Sequence, residues 1–139
     1  MSLITAIFLL LILAALGAFI VSFGAVQQAD AALDAQGSRA YHAARTGLEW
    51  GAYQAIVPAV PVCAAQTALA LPAAQFGPFT TVTVVCTATP HTEGVSLPKI
   101  LYALTANACN EPAAGICPNP APGPNYVERE LQLSVISPP

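Results

Sequence analysis

Four cysteines and two histidines are the residues of this chain most able to do chemistry. Cys63, Cys86, Cys109 and Cys117 follow one another at separations of 23, 23 and 8 residues. A structural zinc site usually contains thiolate pairs only about two to four residues apart, so this spacing does not favour zinc. The other two candidates, His42 and His91, have no cysteine or acidic residue at metal-ligand spacing. We therefore expect packed or solvated histidines and no metal site.

Disulfide formation is the chemistry that the cysteines favour. Four cysteines allow three pairings, and the sequence alone leaves all three open. We prefer Cys63–Cys86 with Cys109–Cys117, because these pairs are local and leave no thiol free. Since a head of some eighty residues has a thin core, such covalent links are expected. Oxidised cysteines indicate a periplasmic or outer location.

Catalytic and nucleic-acid signatures are missing from the sequence. No haem attachment motif, phosphate-binding loop, zinc protease motif or nucleophile elbow occurs. The net charge of −3 and the lack of any lysine or arginine run give no indication of nucleic-acid binding. We expect a protein that is not an enzyme and needs no cofactor.

The opening segment of the chain is strongly apolar. The first charged residue is Asp30, and fifteen of the first 26 residues are Leu, Ile, Val or Phe. A helix of that length reaches about 39 Å, which exceeds the roughly 30 Å hydrocarbon core of a bilayer. A cleavable secretory signal is disfavoured, because the apolar run is too long and nothing basic precedes it. Residues 1–28 are therefore predicted to form a membrane span or the core of an assembly.

The missing basic residues and the small residues refine this prediction. Basic residues beside a span normally set its orientation, but none occurs before Arg39. We infer a removed basic leader that leaves Met1 as the mature terminus, although Met1 could also be an ordinary start residue. Small residues in the span would let helices of several copies approach closely, as they also do in ordinary membrane spans: Ala14, Ala15, Gly17, Ala18 and Gly24.

The remaining pattern predicts an α+β fold. No proline occurs before Pro58 and an amphipathic pattern continues after Gln27, so we predict one long helix over residues 1–56. Residues 57–139 should form an antiparallel β-sheet head that covers the amphipathic half of the helix. Alternating, β-branched stretches predict strands at 79–89, 99–108 and 126–136, with a turn at 90–98.

These features together resemble the type IV pilin family and its type II secretion pseudopilin relatives. The segment "SLITAIFLLLILAALGAF" resembles the mature start of such a subunit. The segments "GSRAYHAARTGLEWGAYQA" and "YVERELQLSV" more narrowly resemble MshP-like minor pilins of the MSHA pilus. The general resemblance covers the first 55 residues, and the narrower one covers both ends of the chain.

The resemblance implies partners and site residues. A prepilin peptidase would cut a leader and leave Met1 N-methylated, and an inner-membrane platform protein and ATPase would move subunits from the membrane into an extracellular filament. Thr5 stands where most pilins carry a glutamate, and its hydroxyl can bond a backbone carbonyl one turn back. The helices would pack in the filament core through Leu9, Leu10, Leu13, Ala14, Gly17, Ala18 and Val21.

Two other functions stay open. The chain could be a membrane-tethered module whose head binds a surface or ligand, or a type II secretion pseudopilin. A pilus subunit could itself form the main filament or occupy its tip.

Overall fold

The computed structural model describes residues 3–57, 61–92 and 99–136, apart from the side chains of residues 25, 26 and 29. The chain forms an α+β fold, an apolar N-terminal helix followed by a small antiparallel sheet, as the sequence predicts. The elements in chain order are α1 (Leu3–Ile56), β1 (Thr67–Ala70), α2 (Ala73–Phe76), β2 (Thr81–His91), β3 (Lys99–Cys109) and β4 (Glu128–Ile136).

Helix α1 is a single element of 54 residues that takes part in both compact units of the chain. One unit ends at Ala35 and the other begins at Gln36. The sequence predicts a head that begins at residue 57, whereas the second unit also includes residues 36–56 of α1, about two-fifths of the helix. The helix ends two residues before Pro58, whose ring and missing N–H oppose a further helical turn.

The sheet has the strand order β1-β2-β3-β4, and all three neighbouring pairs are antiparallel. The pattern of β-branched residues predicted β2, β3 and β4, whereas β1 and α2 were not predicted. The predicted turn at 90–98 begins too early, because Pro90 and His91 belong to β2. Strand β1 pairs with residues 81–84, so no described strand adjoins β2 on that side at Pro90, and a proline is tolerated there. Residues 93–98 of that turn lie outside the described residues.

The core of the second unit lies between α1 and one face of the sheet. Alanines on the helix meet larger apolar side chains from the sheet: Ala40, Ala43, Ala44, Leu48, Phe79, Val82, Val84, Leu104, Ala106 and Ala108. A Cβ on Gly47 would lie 2.6 Å from Val82 Cγ1, so only glycine allows the backbone this close to β2. Leu33, which shares the helical periodicity, belongs to the first unit and is 52% exposed.

Candidate functional site

The surface most open to an interaction is the front segment, defined here as Leu3–Gly24. These 22 residues form the one stretch within the described helices that is long and apolar enough to cross a membrane. None of the segment's most apolar window is buried in the chain, and Leu3 is 77% exposed. Burying a Leu, Ile or Phe side chain fully contributes about 1.5–3 kcal/mol. An apolar helix surface of this size is stable only in lipid or against other apolar surfaces.

All seven residues predicted to pack in a helical core lie on this front segment and are exposed: Leu9, Leu10, Leu13, Ala14, Gly17, Ala18 and Val21. A Cβ added to Gly17 would have no neighbour within 4 Å, so the close approach expected there would have to come from another molecule. Both the small and the large residues of the front segment are therefore exposed.

Two contacts order the end of the front segment. The rings of Phe19 and Phe23 lie one turn apart, with centroids 4.8 Å apart and a tilt of 50°. The Ser22 hydroxyl donates to the Phe19 carbonyl at 2.9 Å, which satisfies a polar group inside an apolar stretch. Thr5, predicted to satisfy its hydroxyl in the same way, is exposed on the helix. Its carbonyl partner one turn back would fall on Met1 or Ser2, which lie outside the described residues.

The four cysteines form two disulfides of different accessibility. Cys63 is bonded to Cys86 and Cys109 to Cys117, which are the preferred pairs. The first disulfide is half-buried, while both cysteines of the second are buried. The backbone N–H of Cys117 also donates to the Thr83 hydroxyl at 2.8 Å, which attaches the short disulfide loop to β2.

A hydrogen-bonded loop follows the second disulfide, and sequence reasoning did not anticipate it. The Tyr126 hydroxyl donates to Glu128 Oε2 at 2.7 Å and accepts from the Asn119 backbone N–H at 3.0 Å. Burial raises the pKa of the Tyr126 phenol, and the Glu128 carboxylate raises it further, against the Asn119 bond. Glu111 Oε2 accepts from the Gly123 N–H at 3.1 Å. These hydrogen bonds determine the shape of the loop.

The residues that could hold a metal ion do not converge. His42 and His91 are both exposed and lie on different elements, α1 and β2. Across residues 3–57, 61–92 and 99–136, no three His, Cys, Asp or Glu side chains lie close enough together to hold a metal.

A small apolar groove lies beside the Cys63–Cys86 disulfide, within the second unit. Its lining comes from the end of α1, the following segment and the sheet, and includes Trp50, Gly51, Gln54, Val62, Thr67 and Val84. The groove has few polar groups to orient a ligand. The front segment is therefore the better candidate for the functional surface.

The comparisons with known proteins add no relative. No family model, no curated protein and no solved structure matches this chain.

Proposed function

We propose that this protein is a structural subunit of an extracellular filament of the type IV pilus class. The observation that carries the proposal is the front segment, an apolar helix surface that the chain itself leaves uncovered. Such a surface can lie in the inner membrane before assembly and against the helices of other copies afterwards. Platform, peptidase and ATPase partners, and an MSHA-like system, belong to the same proposal.

The head supports this role because it is a small, cross-linked domain. Two disulfides within residues 36–136 stabilise it, each by about 3 kcal/mol on the chain-entropy estimate. Disulfides persist in the oxidising environment outside the cell, so a covalently cross-linked head suits a subunit exposed there. Tyr41 and Tyr53 are exposed on the part of α1 that belongs to the head and are available for contacts with neighbouring subunits.

Thr5 bears on the kind of subunit. Most pilins have a carboxylate at this position, and an unpaired carboxylate inside an apolar core costs several kcal/mol. Thr5 avoids that cost but cannot neutralise the terminal amine of a neighbour. The threonine at position 5 therefore favours a minor or tip subunit, in which no carboxylate at this position is needed to pair with the terminal amine of a neighbour.

Fractionation of sheared cells tests the proposal. Cells that express the protein with its assembly system are sheared, and the filament fraction and the inner-membrane fraction are probed for the chain. We expect the chain in filaments, either along their length or at their tips by immunogold labelling. Recovery solely from inner-membrane detergent extracts would contradict the proposal and favour a membrane-tethered binding module.

A further inference from the structure

Residues 61–66, called the strap here, precede strand β1 and have no regular secondary structure. Five of these six residues are exposed, and the exception is the half-buried Cys63. The strap contains no charged side chain, and its Pro61 has no backbone N–H to donate. Because so few of its own groups fix its conformation, the strap depends on its contacts with the rest of the head.

Two backbone hydrogen bonds and one disulfide attach the strap to the head within the described residues. The Val62 N–H donates to the Gln54 carbonyl at 3.0 Å. The Ala64 carbonyl accepts from the Cys86 N–H at 3.2 Å. Cys63 adds the covalent bond to Cys86 of β2. Since water competes for the groups of hydrogen bonds in an exposed segment, the disulfide is the main attachment.

The strap supplies part of the wall of the apolar groove beside this disulfide. Val62 and Ala64 line the groove together with Trp50 of α1. Two core residues, Val84 and Leu104, also line it, although they are only 2% and 1% exposed. If the strap moved away, water would therefore reach this flank of the hydrophobic core.

Beyond the strap, the chain is attached to the sheet by contacts that do not involve this disulfide. Strand β1 pairs with residues 81–84 of β2. The Leu71 N–H then donates to the Thr80 carbonyl at 2.7 Å. The other disulfide, Cys109–Cys117, joins the end of β3 to the loop that follows it. Loss of the bond to the strap should therefore free the strap and leave the sheet paired.

We propose that Cys63–Cys86 is a redox latch, whose reduction releases the strap and opens the groove beside Trp50 while the sheet stays folded. This inference concerns the head alone and does not depend on filament assembly. The reductant is a dithiol, and one of its thiolates attacks a sulfur of the disulfide to form a mixed disulfide. Its second thiol then displaces the protein and closes the reductant's own disulfide. Two electrons and two protons thereby pass to the protein, which gains the thiols of Cys63 and Cys86.

Accessibility makes this disulfide the one that a dithiol can reach. Cys63 and Cys86 are both half-buried, whereas Cys109 and Cys117 are 0% and 1% exposed. Thiol–disulfide exchange requires a thiolate to approach a sulfur atom directly. A dithiol can therefore open the groove without breaking the second covalent link of the head.

Amide hydrogen exchange of the full chain in detergent micelles tests the latch. Dithiothreitol is added until alkylation shows that Cys63 and Cys86 alone are reduced. The Val62 and Cys86 amides should then exchange at least about tenfold faster, because both of their hydrogen bonds open with the strap. The amide of Ala106, which lies on β3 between β2 and β4, should stay within about twofold of its original rate. Quenching of Trp50 fluorescence by acrylamide should increase at the same dithiothreitol concentration.

Two double variants test the latch without a reductant. Cys63→Ser with Cys86→Ser should reproduce the faster exchange of the Val62 amide. The matched control, Cys109→Ser with Cys117→Ser, also removes one disulfide but should leave the Val62 amide protected. If a variant does not fold, the reduced unaltered chain decides; if all four thiols appear together, the first variant decides.

Either of two results would overturn the latch. An unchanged exchange rate of the Val62 amide after loss of the disulfide would show that the strap stays in place without it. Equal acceleration of the Val62 and Ala106 amides would show that the disulfide holds the whole sheet together and not the strap alone. Neither result bears on filament assembly, which the fractionation of sheared cells tests separately.

Discussion

Gly47 determines how closely α1 approaches the sheet. A Cβ at this position would lie 2.6 Å from Val82 Cγ1 and 3.2 Å from Val84 Cγ2. Gly47→Ala should lower the free energy of unfolding by about 1–3 kcal/mol, because overpacking exceeds the gain in helix propensity. Urea unfolding in detergent micelles, followed by the fluorescence of Trp50, measures the change.

The matched control for Gly47→Ala is Gly17→Ala. Both glycines lie inside α1, but a Cβ on Gly17 would meet nothing within 4 Å. The unfolding midpoint of the Gly17→Ala variant should therefore be equal to or above that of the unaltered chain, since only the gain in helix propensity applies there. A Gly47→Ala variant as stable as this control would show that the sheet can move away from the helix at little cost.

Glu130 should make the head sensitive to acid. Its carboxylate accepts hydrogen bonds from Gln132 Nε2 at 2.9 Å and Asn107 Nδ2 at 3.0 Å. These bonds lower the pKa of Glu130 from its ordinary value of 4.5. The folded state then favours the charged form, so the stabilisation is present above pH 4.5 and is lost as the pH falls through the lowered pKa.

The variant Glu130→Gln isolates this effect. Its stability should depend less on pH than that of the unaltered chain below pH 4.5, and the difference between the two should be constant near neutrality. Unfolding midpoints in urea at a series of pH values give both curves. Curves that run parallel down to low pH would mean that the two hydrogen bonds do not favour the charged carboxylate.

At the scale of elements, the two disulfides should react in a fixed order. Cys63–Cys86 is half-buried at the edge of the sheet, while Cys109–Cys117 is buried beneath its loop. Increasing phosphine reductant should open Cys63–Cys86 first, because access limits thiol–disulfide chemistry. Alkylation and peptide mass spectrometry identify which thiols appear at each concentration.

A variant with Cys63→Ser and Cys86→Ser checks this assignment. It should lose the early reduction step, keep the late one and unfold with a free energy lower by about 3 kcal/mol. Simultaneous appearance of all four thiols in the unaltered chain would show that the folded head does not protect the second disulfide.

The sequence predicts the elements that carry their own signal. Strands β2, β3 and β4 have β-branched or alternating residues, and the proline-free run predicts α1. Strand β1, with the sequence TALA, has no such pattern and forms because β2 offers an edge and Cys63–Cys86 holds the preceding segment close. Pro90 is typical of a turn, but among the described residues no strand pairs with β2 on the side away from β3 at that position.

The candidate site divides in the same way. Composition alone identifies the front segment, since its fourteen Leu, Ile, Val and Phe residues can be recognised without tertiary information. The loop around Tyr126 depends on hydrogen bonds between groups seven and twelve residues apart, which leave no pattern in the sequence. The apolar or polar character of a segment can therefore be predicted from the sequence, whereas the contacts of its side chains require the fold.

At the scale of the whole molecule, a single charge in the front segment should stop assembly. Leu11 is 65% exposed, so Leu11→Lys leaves the head unchanged but places an ammonium group among packed helices. An unpaired charge there costs several kcal/mol, and filament yield should fall at least about tenfold. Electron microscopy and immunoblots of sheared fractions measure the yield.

Val57→Lys provides the comparison for this variant. Val57 is 59% exposed and follows the end of α1, far along the chain from the front segment. The same change in charge there should leave the yield near normal. Normal filaments from Leu11→Lys would mean that the front segment does not lie in a dry core.

The division of the chain at Ala35 and Gln36 has a practical consequence. The second unit contains the hydrophobic core, the whole sheet and both disulfides. A chain that begins at Gln36 should therefore stay in aqueous solution without detergent, elute as a monomer from a sizing column and keep the cooperative unfolding of Trp50. Association through the apolar front segment would then be removed with that segment. The isolated head could be crystallised or titrated with ligands.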